Sequence, residues 1–168
     1  MHDRIRNLTR AAIIAALYAV LTHLQNILLV GSASWANQCR LSETLCVLVF
    51  FTPAAIPGLT IGCLVFNITF AGALPLDWLV GSLASLTAAA AMWYTRNIKI
   101  HGYPLLGMVM PALTNAVLVG WELSVYIGGG FLLNALSVAL GELVVMLIFG
   151  SVLYYTIKSR HLDTRLFA

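Results

Sequence analysis

Charge is the scarcest property of this sequence. Charged side chains make up 9% of its 168 residues, whereas a water-soluble domain carries about 25%. A chain so poor in charge cannot cover its surface against water, so lipid is the solvent for most of it. Cysteine is scarce as well. Cys39, Cys46 and Cys63 form no C-x-x-C pair, which argues against a disulfide framework or a zinc site and leaves small apolar packing residues. No G-x-x-x-x-G-K-[ST], H-E-x-x-H or G-x-S-x-G stretch occurs, so ATP hydrolysis by a phosphate loop and the corresponding hydrolase chemistries have no residues to carry them. The chain reads as a non-enzyme. Without an internal repeat or a low-complexity linker, residues 1–168 read as a single transmembrane domain.

Hydrophobic residues are 61% of the chain and fall in long runs. Five of these, Leu8 to Val30, Ala54 to Ala73, Leu76 to Tyr94, Pro104 to Glu122 and Phe131 to Ile157, each hold about 19 residues or more, enough to cross a core of about 30 Å. A sixth, Leu41 to Thr52, covers roughly 18 Å as an α-helix and falls short. Basic residues decide whether it crosses. Arg4, Arg6 and Arg10 precede the first run, Lys158, Arg160 and Arg165 follow the last, and Arg96 and Lys99 share a middle loop. Six crossings put all eight on one side and leave only Arg40 on the other, whereas five would place a terminal basic cluster outside, against the positive-inside tendency. The expectation is an all-α integral membrane protein of six transmembrane helices with both termini cytoplasmic. Its second helix is short, kinked at Pro53 and Pro57, and shielded from lipid by its neighbours. The basic excess therefore marks sidedness and not a nucleic-acid partner. The first run, followed by Ser32-Ala33-Ser34, is too long for the h-region of a signal peptide, typically about 7–15 residues, and reads as a retained helix.

Ionisable groups inside a bilayer cost several kcal/mol, so each is a functional candidate. Glu142 lies about 11 residues, roughly 16 Å, from the outer end of the last helix, near the midplane. Asn134 is about 12 Å further out on the same helix. Asn115 and Glu122, seven residues apart, share a face of the fifth helix. Asp77 and Trp78 open the fourth on the outer side, and Arg40 and Glu43 lie a turn apart at the outer end of the second. Four of the six acids, Glu43, Asp77, Glu122 and Glu142, thus gather in the outer half or at the midplane. Trp35, Trp78, Trp121 and Tyr126 are drawn to the same level. Together they describe a polar, aromatic-lined cavity open to the outside, covered by the loop from Gly31 to Arg40.

Structural roles compete for most of these residues. The tryptophans also suit an interfacial belt, Arg40 and Glu43 a helix-end ion pair, Asp77 a first-turn acid, Glu122 a hydrated helix end, and the two asparagines interhelical glue. Glu142 has no comparable alternative. His23, Gln25 and Asn26 are weaker candidates. Ala11, Ala15 and Ala19, with Ala12 and Ala16 beside them, form a stripe that lets another helix approach closely, either a partner's or one of this chain's own.

The stretch RLSETLCVLVFFTPAAIPGLTIGC from Arg40 to Cys63, the alanine-spaced first helix and GSLAS at 81–85 resemble the queuosine-precursor transporter (QueT) family. These are substrate-binding S components of energy-coupling factor (ECF) transporters. Val49 departs mildly from a proline expected there. The resemblance implies an S component in a bacterial cell membrane that captures a 7-deazaguanine, such as 7-aminomethyl-7-deazaguanine, its 7-cyano relative or queuine, from outside. It implies docking through Ala11, Ala15 and Ala19 on a transmembrane coupling subunit, with two partner ATPase subunits using the ATP and no cofactor in this chain.

On chemical grounds the substrate-binding set is Trp35, Arg40, Glu43, Asp77, Asn115, Glu122, Tyr126, Asn134 and Glu142. Carboxylates accept the N–H groups of the Watson–Crick edge, amides read its acceptors, and Trp35 or Tyr126 stacks on the ring, worth about 1–3 kcal/mol by analogy with base stacking. Arg40 and Glu43 are expected at the cavity rim, with Glu43 meeting the ligand. An S component for thiamine or riboflavin is the main rival. A stand-alone carrier is a lesser one, since no inverted repeat is visible.

Overall fold

A computed structural model of the chain describes residues 2–29, 40–70, 72–73 and 75–167. Among these, every element is helical. Helix α1 spans His2–Leu28, a 3-10 helix Leu41–Phe50, α2 Ala55–Thr69, α3 Pro75–Thr95 and α4 Leu105–Tyr126. Helix α5 is a single rod, Phe131–Ser159, whose α-helical ends flank a π-helical stretch, Val145–Gly150. A last turn, α6, covers Leu162–Leu166.

Four of these helices, α1, α3, α4 and α5, are long and apolar enough to cross a membrane. The 3-10 helix and α2 are shorter, at 10 and 15 residues. Winding at about 2.0 Å per residue instead of 1.5 stretches the 3-10 segment to roughly 20 Å, close to the roughly 22 Å of α2. The second helix is short, as expected, but the prolines do not kink it. Pro53 sits in the turn that follows it, and Pro57 lies in the first turn of α2, where a missing N–H leaves no intrahelical bond unmade.

Contacts fix the directions of the rods. Positions Gly58 and Gly62 of α2 abut Ala11 and Ala15 of α1, so these two helices run parallel. The 3-10 helix runs against α1, because the Leu41 amide donates to Gln25 Oε1 at 2.8 Å, Thr22 pairs with Ser42 at 2.7 Å, and Tyr18 donates to Glu43. Helix α3 turns back along α2, through Asn67 beside Asp77 and Gly81. Helix α4 turns back along α3, with the Leu76 amide on the Tyr126 hydroxyl at one end and Gly107 on Thr95 at the other. Helix α5 turns back along α4, through Gly120 on Ala135 and Asn115 on Glu142. Direction therefore alternates along the chain, and both termini fall at one end. There Arg10 donates to the Leu166 carbonyl at 2.5 Å and its guanidinium lies 5.7 Å from the Phe167 ring centre.

The core gathers fully buried Tyr18, Cys46, Val47, Leu59, Met92, Met108 and Met146. The outside is apolar too, with Leu8, Leu79, Leu132 and Val152 all exposed by more than 60%, as a lipid-facing bundle requires. The alanine stripe turns inward. Ala11, Ala15 and Ala19 are buried at 7%, 8% and 7% exposure, and a Cβ on Gly58 or Gly62 would come within 2.9 Å of the Ala11 or 2.8 Å of the Ala15 carbonyl oxygen. Of the two roles open to that stripe, packing within the chain is the one it fills, so these three alanines are not a free docking face. Ala12 and Ala16 are the ones that face outward.

Candidate functional site

Close approach of α4 and α5 builds the innermost part of the site. Gly120 lacks a side chain where Ala135 passes: a Cβ there would lie 2.7 Å from the Ala135 Cα. Five residues before Gly120 on α4, Asn115 meets Glu142 of α5, donating from Nδ2 to Oε1 at 2.8 Å. Both side chains are buried, at 5% and 3% exposure. Their other oxygens, Asn115 Oδ1 and Glu142 Oε2, have no partner among the described residues. The π-helical stretch begins three residues beyond Glu142, and such irregularities inside long helices are frequent at functional sites.

Glu122, two turns further along α4, is buried as well and leaves Oε1 without a partner. The Asp77 carboxyl of α3 is close enough to Glu122 for the two acids to interact. Asp77 is positioned by its backbone, whose carbonyl accepts from Asn67 Nδ2 at 2.6 Å. That bond needs a glycine at 81, where a Cβ would come within 2.6 Å of the Asn67 nitrogen.

Arg40 supplies the cation. Its guanidinium lies 5.5 Å from the centre of the Phe66 ring and donates to Cys63 Sγ at 3.6 Å. Glu43, Glu122 and Glu142 are all within its electrostatic reach. Glu43, expected at the rim, is instead 2% exposed. The Tyr18 hydroxyl donates to its Oε1 and the Cys46 thiol to its Oε2 at 3.1 Å. Each carboxylate oxygen thus has a donor, and Glu43 joins α1 to the 3-10 helix.

The remaining expected residues stand apart. Asn134 donates to the Gly128 carbonyl at 2.8 Å, clamping a loop whose Gly128, Gly129 and Gly130 all have positive φ. That bond makes it a loop tie. The Tyr126 hydroxyl receives the Leu76 amide at 3.2 Å and joins α4 to the start of α3. Trp78 and Trp121, at 45% and 49% exposure, suit the interfacial belt. Trp35 and the loop before Arg40 lie outside the described residues.

Sequence reasoning missed Tyr18, Thr22, Ser42, Asn67 and Ser85, all buried. A signal existed for the first two. Tyr18, Thr22 and Gln25 are spaced i, i+4, i+7, a polar stripe on an otherwise apolar helix. Asn26, near the C-terminal end of α1, leaves both polar atoms of its amide buried and without a partner among the described residues.

Chemically, the interior presents three unpartnered buried acceptors on α4 and α5, with one arginine near three glutamates. Each unpaired buried polar atom costs about 1–3 kcal/mol. A ligand that returns this cost is rich in N–H donors, and the excess of carboxylate over guanidinium also accommodates a cation. Among the described residues, no group of three or more His, Cys, Asp or Glu could hold a metal.

In comparisons with known proteins, no curated sequence and no solved structure matches the chain. The profile of the QueT transporter family matches residues 8–159. That span runs from within α1 to the end of α5, takes in all the polar residues just described, and covers far more than half of the chain: the protein belongs to the QueT transporter family.

Proposed function

We propose that this protein is the substrate-capturing S component of an ECF-type importer, and that its substrate is a 7-deazaguanine precursor of queuosine. The observation that carries the reading is that Asn115 Oδ1, Glu122 Oε1 and Glu142 Oε2 are three buried acceptors without a partner among the described residues. A deazaguanine carries donors at N1, at its exocyclic amine and at the pyrrole nitrogen, which suit such acceptors. An aminomethyl group would add a cation for the Asp77–Glu122 pair. Amide donors such as Asn26 Nδ2 are suited to the ligand's carbonyl.

In this reading six segments cross the bilayer. The basic end, with both termini, faces the cytoplasm as the positive-inside tendency favours, and ligand enters from the opposite end. The chain carries no phosphate loop, so ATP is hydrolysed by two partner ATPases coupled through a transmembrane subunit. The outward Ala12 and Ala16 of α1 offer that subunit a close approach.

The test is equilibrium binding to the detergent-purified protein of 7-aminomethyl- and 7-cyano-7-deazaguanine, queuine, guanine, thiamine and riboflavin. Binding of a deazaguanine at low micromolar concentration or below, with guanine much weaker, is expected. Tight binding of thiamine or riboflavin instead would overturn the substrate class.

A further inference from the structure

The end of the bundle that carries the termini has a site of a different kind. A cleft of about 110 Å³ opens there between the end of α3, the start of α4 and the end of α5, with Arg96, Lys99 and Lys158 on its walls and Phe51 and Tyr154 beside them. The cleft has room for a small anion such as a phosphate group. Helix α4 starts next to it. Pro104 lines the cleft and is the N-cap of that 22-residue helix, with no side-chain cap, so the positive end of the helix dipole adds to the three cations.

The cleft's shape is held by its surroundings. The Arg96 guanidinium lies 3.7 Å from the Trp93 ring centre and donates to the Trp93 carbonyl at 2.6 Å. The loop is closed by paired amides of Ile100 and Tyr103 at 2.9 and 3.0 Å, around His101 and Gly102 at positive φ. Lys158 bonds Asp163 at 2.7 Å, a carboxylate already resting on one of the cations.

Lys158 also borders a shallow, open groove formed by the surface of α5 alone, with Ser151, Val152, Tyr155, Thr156 and Ser159. Its hydroxyls are turned to the helix. Ser151, Thr156 and Ser159 donate to the carbonyls of Leu147, Val152 and Thr156 at 2.5, 2.7 and 3.3 Å. What faces outward is methyl, methylene and ring, with Val152 at 64% and Tyr155 at 58% exposure. A cationic cleft for one phosphate, joined through a shared lysine to an apolar groove on a spanning helix, has the form of a phospholipid.

We propose that this end of the protein binds an anionic phospholipid, with its phosphate between Arg96, Lys99 and Lys158 and an acyl chain along the Val152–Tyr155 face of α5. An acidic protein segment would use the cations and leave the groove unexplained, and free phosphate would do the same. Basic pockets between membrane helices are suited to such headgroups, with about 1 kcal/mol per cation, which corresponds to about fivefold in affinity.

The test uses the full chain in detergent, incubated with mixed micelles of phosphatidylglycerol and phosphatidylcholine, with bound lipid read by native mass spectrometry. The wild type should retain phosphatidylglycerol over phosphatidylcholine. Lys99→Gln, at an exposed side chain, should reduce that preference about fivefold, and Arg96→Gln with Lys99→Gln about 25-fold, with thermal stability unchanged in Lys99→Gln. Val152→Asp, which places a charge in the groove, should lower retention with all three cations intact. Equal retention of both lipids, or a preference that survives the double substitution, overturns the proposal. Full displacement of phosphatidylglycerol by millimolar inorganic phosphate, or indifference to Val152→Asp, overturns the lipid as occupant and leaves a simple anion site.

Discussion

Glu43 and Glu142 share one polar interior and one arginine, yet the chain provides for them differently. Glu43 receives the Tyr18 hydroxyl and the Cys46 thiol, whereas Glu142 is met on one oxygen only, by Asn115. Replacing a satisfied buried acid strands its donors, which costs about 1–3 kcal/mol. Glu43→Ala should therefore lower the thermal midpoint by several degrees in a denaturation scan, leaving Tyr18 without its acceptor. This reverses the ranking that a rim position suggests, in which affinity falls and stability holds. The four acids were legible as a group in the sequence, because an ionisable residue in an apolar run needs a reason. Their division into satisfied and unsatisfied was not, because the partners of Glu43 are a tyrosine and a cysteine that count as apolar in any hydropathy reading. The tie made by Asn134 was hidden for a related reason. Three glycines at positive φ leave the Gly128 carbonyl in need of a donor, and nothing in residue spacing announces that.

At the scale of elements, glycines set which helices come close enough to share side chains. Gly120 lets α4 meet α5 at Ala135, a turn or two from the Asn115–Glu142 bond. Gly120→Ala forces the helices apart by several tenths of an ångström. It should cost about 1–3 kcal/mol of stability and weaken ligand binding together with it, measured by a melt and a titration on the same preparation. The parallel pair α1 and α2 rests on Gly58 and Gly62 against Ala11 and Ala15. An alanine repeat of four residues fits two adjacent faces, 11/15/19 and 12/16, and α1 alone does not say which turns inward. The matching i, i+4 glycines of α2 were the missing clue. Ala15→Trp should disrupt folding. Ala12→Trp should leave ligand affinity within about twofold and, on the proposed docking, abolish co-purification with a coupling subunit.

For the whole molecule, hydropathy located the long apolar rods, because it acts over many residues and needs no tertiary detail. The alternation of direction and the meeting of Arg10 with Leu166 fit the sidedness read from the basic residues. Reporter fusions at the two ends should therefore give the same answer, both cytoplasmic; opposite answers would break the six-crossing account. What sequence could not supply was the winding of the 41–50 segment as a 3-10 helix. Its extra length arises from packing between α1 and α5 and not from local propensity, since long 3-10 runs are uncommon in themselves.

The central claim is that Asn115, Glu122 and Glu142 hold the ligand's donors, and the most direct measurement is deazaguanine affinity in Glu142→Gln beside the wild type. Glutamine preserves volume and the acceptor for Asn115 Nδ2 but turns an amide N–H toward the ligand in place of Oε2. The account predicts a loss of about 10–100-fold in affinity, at about 1.4 kcal/mol per tenfold, with a thermal midpoint within a few degrees of the wild type. Unchanged affinity in a stably folded Glu142→Gln would contradict it.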